Sequence, residues 1–235
     1  MLANNIIALI ITFVVALAWL RINDYLAQRG WVESHLSRKL IHIGTGPLFV
    51  LCWLLFNDNP VNKLLAALVP LAFTIQFLLI GTGFIIDEAS VKAMSRSGDR
   101  REILRGPLYY GIIFVLLTII YWKHSPIGIV GLMLMCGGDG LADIFGRKWG
   151  KVKVPWNSGK SLAGSLGMLL GGWILSVLIL GIFSAAGVFS LPIQSYLLPI
   201  TLIAVVGTLV ESLPLKDIDN ITVTLSAVII GHLVF

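Results

Sequence analysis

Residues Met135–Gly172, MCGGDGLADIFGRKWGKVKVPWNSGKSLAGSLGMLLGG, set two carboxylates, a glycine cluster and a basic loop against segments apolar enough to cross a bilayer. A carboxylate in or beside hydrocarbon is costly unless a cation, a partner or water meets it. Asp139 and Asp143 therefore mark a place where something polar is handled, and the lysines that follow suggest a phosphate.

Working outward, the rest of the chain fixes the setting. At 57% hydrophobic, 12% charged and a mean hydropathy of +0.92, the 235 residues carry too little polar surface to cover a soluble globule. A spanning helix needs about 17–25 apolar residues. Eight candidates fit, at 4–20, 40–56, 64–86, 107–122, 126–145, 162–183, 195–213 and 219–235, with seven as the alternative count. The expectation is an all-α polytopic transmembrane bundle forming one domain over residues 1–235.

Loop charge orients that bundle. Arg21, Arg29, Arg38 and Lys39, then Lys92, Arg96, Arg100, Arg101 and Arg105, then Arg147, Lys148, Lys151, Lys153 and Lys160, with Lys216, all fall on odd-numbered loops. Only Lys63 and Lys123 fall on even ones. The positive-inside rule places the odd loops in the cytoplasm and both termini outside. Orientation and anionic headgroups account for the net charge of +5, so nucleic acid is not invoked as a partner. Ala16-Leu17-Ala18 has the look of a cleavage site, but no Lys or Arg precedes it, and an uncleaved anchor is expected. Cys52 and Cys136 read as small buried hydrophobes, and the four histidines form no zinc spacing.

On a helix, Asp139 and Asp143 stand at i and i+4, with their carboxylates on one face. Magnesium is usually held by one or two carboxylates, with water and substrate phosphates completing its shell. Gly138 and Gly140 remove side chains beside the first aspartate, so that backbone or ligand can come close. Gly159-Lys160-Ser161 looks like the end of a P-loop, but the position that needs glycine is Val154 and that reading fails. What remains is a lysine with two hydroxyls before a helix N-terminus, where free N–H groups favour phosphate. For Lys151 and Lys153 a pure topology role competes equally. Gly164, Gly167 and Gly171 read as helix packing.

In the deduced topology, Arg38, Lys39, His42, Glu211 and the turn Lys216-Asp217-Ile218-Asp219-Asn220 fall at the same membrane face as the aspartates. Headgroup anchoring is the competing reading for Arg38 and Lys39, and helix–helix hydrogen bonding for His42.

Gly138-Asp139-Gly140-Leu141-Ala142-Asp143, Gly146-Arg147-Lys148 with Gly150, Asn157, and Lys160-Ser161 with Gly164-Ser165 resemble the phytol kinase branch of the CTP-dependent polyprenol kinases. Arg38-Lys39-Leu40-Ile41-His42, Glu211-Ser212-Leu213-Pro214 and Asp219-Asn220-Ile221-Thr222-Val223 carry the likeness from about residue 37 to the end. Thr224 departs from it, standing where that pattern has proline. The resemblance implies phosphoryl transfer from CTP or another nucleoside triphosphate to a membrane-dissolved isoprenoid alcohol such as phytol. It further implies Mg2+ and triphosphate on Asp139 and Asp143, phosphate charge from Lys148 and Lys160, and phosphate hydrogen bonds from Asn157 and Ser161. Asp219, Asn220 or Glu211 would position the alcohol or a second metal. Gly138, Gly140, Arg147, Arg38, Lys39 and His42 complete the nucleotide site, and Asp139, Asp143, Lys160 and Asp219 are the catalytic candidates. The protein would sit in a bacterial inner or photosynthetic membrane with its site toward the cytoplasm. The alternatives are a related CTP-dependent diacylglycerol or dolichol kinase, a cytidylyltransferase attacking the α-phosphate, and a transporter using the acids as an ion relay.

Overall fold

The computed structural model describes residues 2–95, 97–215 and 218–235. Arg96, Lys216 and Asp217, which entered the reading of loop charge and of the last turn, lie outside the described residues. Among the described residues ten α-helices follow in order: α1 (Leu2–Gln28), α2 (Ser34–Cys52), α3 (Asn62–Thr82), α4 (Glu88–Met94), α5 (Gly106–Tyr121), α6 (Pro126–Met133), α7 (Asp139–Trp149), α8 (Leu162–Ala185), α9 (Gln194–Glu211) and α10 (Asp219–Val234). Two short antiparallel strands, β1 (Lys153–Val154) and β2 (Asn157–Ser161), lie between α7 and α8.

Among the described residues, seven helical units are long and apolar enough to cross a membrane, and α10 is a shorter apolar helix of 16 residues. At about 1.5 Å per residue α10 reaches about 24 Å, short of a hydrocarbon core of about 30 Å. Seven helical units thus have the length of a full crossing, the alternative count given above, and the eighth candidate is the shorter α10. The protein is an integral membrane helical bundle.

Three boundaries differ from the sequence reading, and each has a local cause. The helix α1 continues to Gln28, carrying Arg21 inside it, because polar residues after an apolar stretch do not break a helix that lacks Gly or Pro. The helix α2 begins at Ser34, so Arg38 and Lys39 are helical rather than in a loop. The helix α7 runs to Trp149 before Gly150 ends it, making Arg147 and Lys148 helical as well, and the remaining basic stretch is a hairpin.

The fifth span, Pro126–Trp149, is the axis of the bundle. Its most apolar stretch is 78% buried, against 17–44% for the other six. A helix apolar on all sides belongs inside such a bundle, and Ile129, Val130, Leu132, Met133 and Leu134 are fully enclosed. A π-helical turn over Leu134–Gly138 joins α6 to α7, and insertions of this kind re-aim the residues that follow. Glycines bring α8 against this axis: a methyl group on Gly167 would stand 2.6 Å from the Leu141 carbonyl oxygen, and one on Gly137 would stand 2.9 Å from that of Gly171. The small-residue stripe on α8 therefore serves packing, as its spacing indicated. Gly171→Leu is expected to lower stability by roughly 1–3 kcal/mol through overpacking, read as a lower Tm in detergent. Cys52 and Cys136 are buried and free.

Candidate active site

A cluster of charged side chains gathers at one end of the bundle. The helix α2 enters there with His35, Lys39 and His42, residues i, i+4 and i+7 on one face. Against that face α7 sets Asp139 and Asp143. Lys39 Nζ lies 3.5 Å from Asp139 Oδ2 and 3.9 Å from Asp143 Oδ2, so one ammonium faces both carboxylates. His35 Nε2 is 2.8 Å from Asp143 Oδ2, and Arg147 Nε is 3.2 Å from Asp143 Oδ1. His42 Nε2 lies 3.1 Å from the Met135 carbonyl oxygen and 3.3 Å from Asp139 Oδ2. A carbonyl only accepts, so this nitrogen carries the proton and donates. The Met135 carbonyl belongs to the π-helical turn, which thereby fixes the imidazole beside the aspartate.

Tyr110 on α5 backs His42. Its ring lies 4.5 Å from the imidazole, centroid to centroid, and its hydroxyl donates to the His42 carbonyl oxygen at 3.0 Å.

The hairpin delivers the other cation. Lys160, on β2, donates to Glu211 at the end of α9 and reaches Asp219 Oδ2 at the start of α10, 3.4 Å away. Glu211 is buried, with only 4% of its surface exposed. Burial alone would pull the Lys160 ammonium down, but Glu211, Asp219 and Asp139 more than offset it and hold its pKa above the usual lysine value. A group raised in this way contributes stability that is full below its unfolded value and lost as pH rises through the folded one. The Lys160 contribution is therefore expected to stay constant from pH 6 to 9 and to fade only above roughly pH 10.5. Thermal unfolding of Lys160→Gln beside the parent protein across that range checks it.

Several residues expected at a nucleotide are held by scaffold contacts. Ser161 caps α8, its hydroxyl accepting from Gly164 N at 3.1 Å. Asn157 donates to the Ser212 carbonyl oxygen at 3.1 Å and accepts from Gly159 N at 3.0 Å, pinning the hairpin to the end of α9. Asn220 reaches the Gly106 carbonyl oxygen at 3.4 Å. Lys148 is exposed, with its ammonium 4.9 Å from the Trp149 ring centre. Gly138 and Gly140 are buried, and methyl groups there would meet Met168 and Ile43, so they serve close packing. Arg38 donates to the Ser95 carbonyl oxygen at 3.3 Å. Lys160 lies on β2 immediately before Ser161, the N-cap of α8, as its sequence position indicated, and it sits among carboxylates.

Sequence reasoning missed His35 and Tyr110. His35 was findable, since it continues the Lys39 and His42 face once α2 starts at Ser34. Tyr110 had no signal, being one aromatic among many.

Four carboxylates, Asp139, Asp143, Glu211 and Asp219, thus converge with three cations, Lys39, Arg147 and Lys160. Among the described residues no group of three or more His, Cys, Asp or Glu side chains stands ready to encage a metal ion. The aspartate pair nonetheless fits a hard cation, because both carboxylates already converge on one point charge at Lys39, and two such ligands suffice where phosphate oxygens complete the shell.

A polytopic helical membrane protein with this cluster at one end is the class the fold and site define. The chain is 42% identical over 220 residues to "Probable phytol kinase 1, chloroplastic" of Glycine max, covering 93% of this chain and 73% of that one. It is 41% identical over 234 residues to "Farnesol kinase, chloroplastic" of Arabidopsis thaliana, covering 99% and 76%. To "Phytol kinase 1, chloroplastic" of the same plant it is 37% identical over 214 residues, covering 90% and 70%. The chain belongs to the phytol kinase family of prenol kinases. No family model matches it, and no solved structure matches it.

Proposed function

We propose that this protein transfers the γ-phosphoryl group of CTP to the hydroxyl of a long-chain isoprenoid alcohol, phytol first among them, at the cytoplasmic face of its membrane. The observation that carries the proposal is the paired carboxylates of Asp139 and Asp143 converging on Lys39 at the polar end of an otherwise apolar bundle. Phosphoryl transfer asks little covalent chemistry of a protein; it asks for a metal, cationic clamps and in-line placement of the acceptor. Asp139 and Asp143 would hold Mg2+, which supplies charge neutralisation for the triphosphate when bound. Lys39 moves from the carboxylates to the phosphate chain, with His35 and His42 steadying the two aspartates at 2.8 and 3.3 Å. Lys160, anchored by Glu211 and Asp219, stands as the second positive group beside them. The alcohol's chain stays between apolar helices while its hydroxyl rises to the polar end.

Purified protein in lipid nanodiscs, offered CTP, UTP, ATP and GTP with phytol, farnesol, geranylgeraniol, dolichol and diacylglycerol, tests this. The expected products are prenyl monophosphate and CDP; released pyrophosphate would instead identify a cytidylyltransferase. Orientation has its own test. In a background without Cys52 and Cys136, Ser97→Cys and Ser158→Cys should resist an impermeant thiol reagent in intact bacterial cells producing the protein, whereas Asn59→Cys should react, all three sites being exposed. Labelling of Ser158→Cys from outside would separate the site from cytosolic nucleotide.

A further inference from the structure

Beside the polar cluster lies a cleft of about 770 Å³, between the end of α3 and residues 85–95 and 98–100, that the site described above leaves unused. Ligand pockets commonly run from about 300 to 1,000 Å³, so it is large enough for a nucleoside. It is joined to the cluster through one residue: Arg38, next to Lys39 on α2, donates to the carbonyl oxygen of Ser95 in the cleft wall at 3.3 Å. The two regions differ in kind. The cluster is made of charged groups suited to phosphate and metal, whereas a base needs apolar surface as well. The cleft has that surface in Ile86 and Val91, with the carboxylates of Glu88 and Asp99 as acceptors and Arg100 as a cation.

We propose that this cleft seats the nucleoside half of the nucleotide, with Arg38 lying along the phosphate chain between the cleft and the aspartates. The inference rests on the reading of the protein as a nucleotide-dependent prenol kinase. A base laid on Ile86 and Val91 buries its faces, and carboxylates at the rim accept from ribose hydroxyls or an exocyclic amino group. The triphosphate then extends past Arg38 toward Lys39, Asp139 and Asp143.

The test separates the nucleoside from its phosphates. Val91→Trp fills the cleft, and Glu88→Gln, at an exposed position, removes one acceptor without disturbing packing. KM for CTP, KM for phytol, kcat and inhibition by inorganic tripolyphosphate are measured for the parent protein and both variants. Val91→Trp should raise KM for CTP at least tenfold and Glu88→Gln about threefold. The phytol KM, kcat and the tripolyphosphate inhibition constant should stay within twofold, because tripolyphosphate carries no nucleoside for the cleft to hold. An unchanged KM for CTP in both variants overturns the assignment. So does a parallel rise in the tripolyphosphate constant and the phytol KM, which would reveal a general distortion. Failure of the parent protein to phosphorylate any prenol with any nucleotide overturns the kinase reading, and this inference falls with it.

Discussion

Asp139→Asn should lower the rate of prenyl phosphate formation by about a thousandfold or more while the protein still inserts and folds. Removing one carboxylate that holds metal and phosphate where charge develops costs about 4 kcal/mol of transition-state stabilisation, which is a rate factor of that size. Asparagine keeps the shape of the side chain and can still accept from His42, whose Nε2 is also held by the Met135 carbonyl oxygen. The apolar axis around residues 129–136 does not depend on the charge. Asp143→Asn should lose at least about a hundredfold by the same reasoning. Its effect should be smaller because Arg147 and His35 already share that carboxylate. Turnover in nanodiscs, with the thermal transition of each variant as control, distinguishes impaired chemistry from impaired structure. Near-parental prenyl phosphate production by either variant would remove the aspartates from the mechanism.

The second large effect is expected at Lys160. Removing one partner of a buried ion pair costs about 3–5 kcal/mol because the other charge is left unpaired. Lys160 keeps 28% of its side-chain surface exposed, so the loss in Lys160→Gln should be reduced to about 2–3 kcal/mol. Glu211 is the group stranded. Lys160→Gln combined with Glu211→Gln should therefore recover most of the stability, since neutral amides can hydrogen-bond to each other. Turnover should not recover, if the ammonium also serves the phosphate. Lys151→Gln and Lys153→Gln, exposed on the hairpin, should stay within about 0.5 kcal/mol of the parent in stability and close to it in rate. Full recovery of turnover in the double variant would reduce Lys160 to a strut.

Most of the architecture was legible because a bilayer leaves few options. Long apolar runs marked out spans that agree with the helices to within a few residues in the middle of the chain. The fifth span, which carries the two aspartates, is the most buried in the structure. Its glycines let α8 close onto it. The β-hairpin at 153–161 was not legible. Its strands are two and five residues long and are fixed by Lys160 and Asn157 reaching α9, interactions that depend on a distant part of the chain.

The candidate site was legible in outline. Asp139, Asp143, Lys39, His42, Lys160, Glu211 and Asp219 do come together. Ser161, Asn157 and Asn220 are engaged in scaffold contacts, because a hydroxyl or amide near a helix end can cap that helix as readily as it can bind a phosphate. Lys148 stands apart from the cluster because, on a helix, a one-residue step from Arg147 turns a side chain away from the face that holds Asp139 and Asp143.

The most direct test follows a labelled phosphate. Protein in nanodiscs containing phytol is given CTP labelled at the γ-phosphorus, and the lipid extract is separated for the parent and for Asp139→Asn. Label should appear in phytyl monophosphate in step with CDP, and should fall to background in the variant. A lipid product carrying cytidine with release of labelled pyrophosphate, or labelled phytyl phosphate undiminished by Asp139→Asn, would contradict the account.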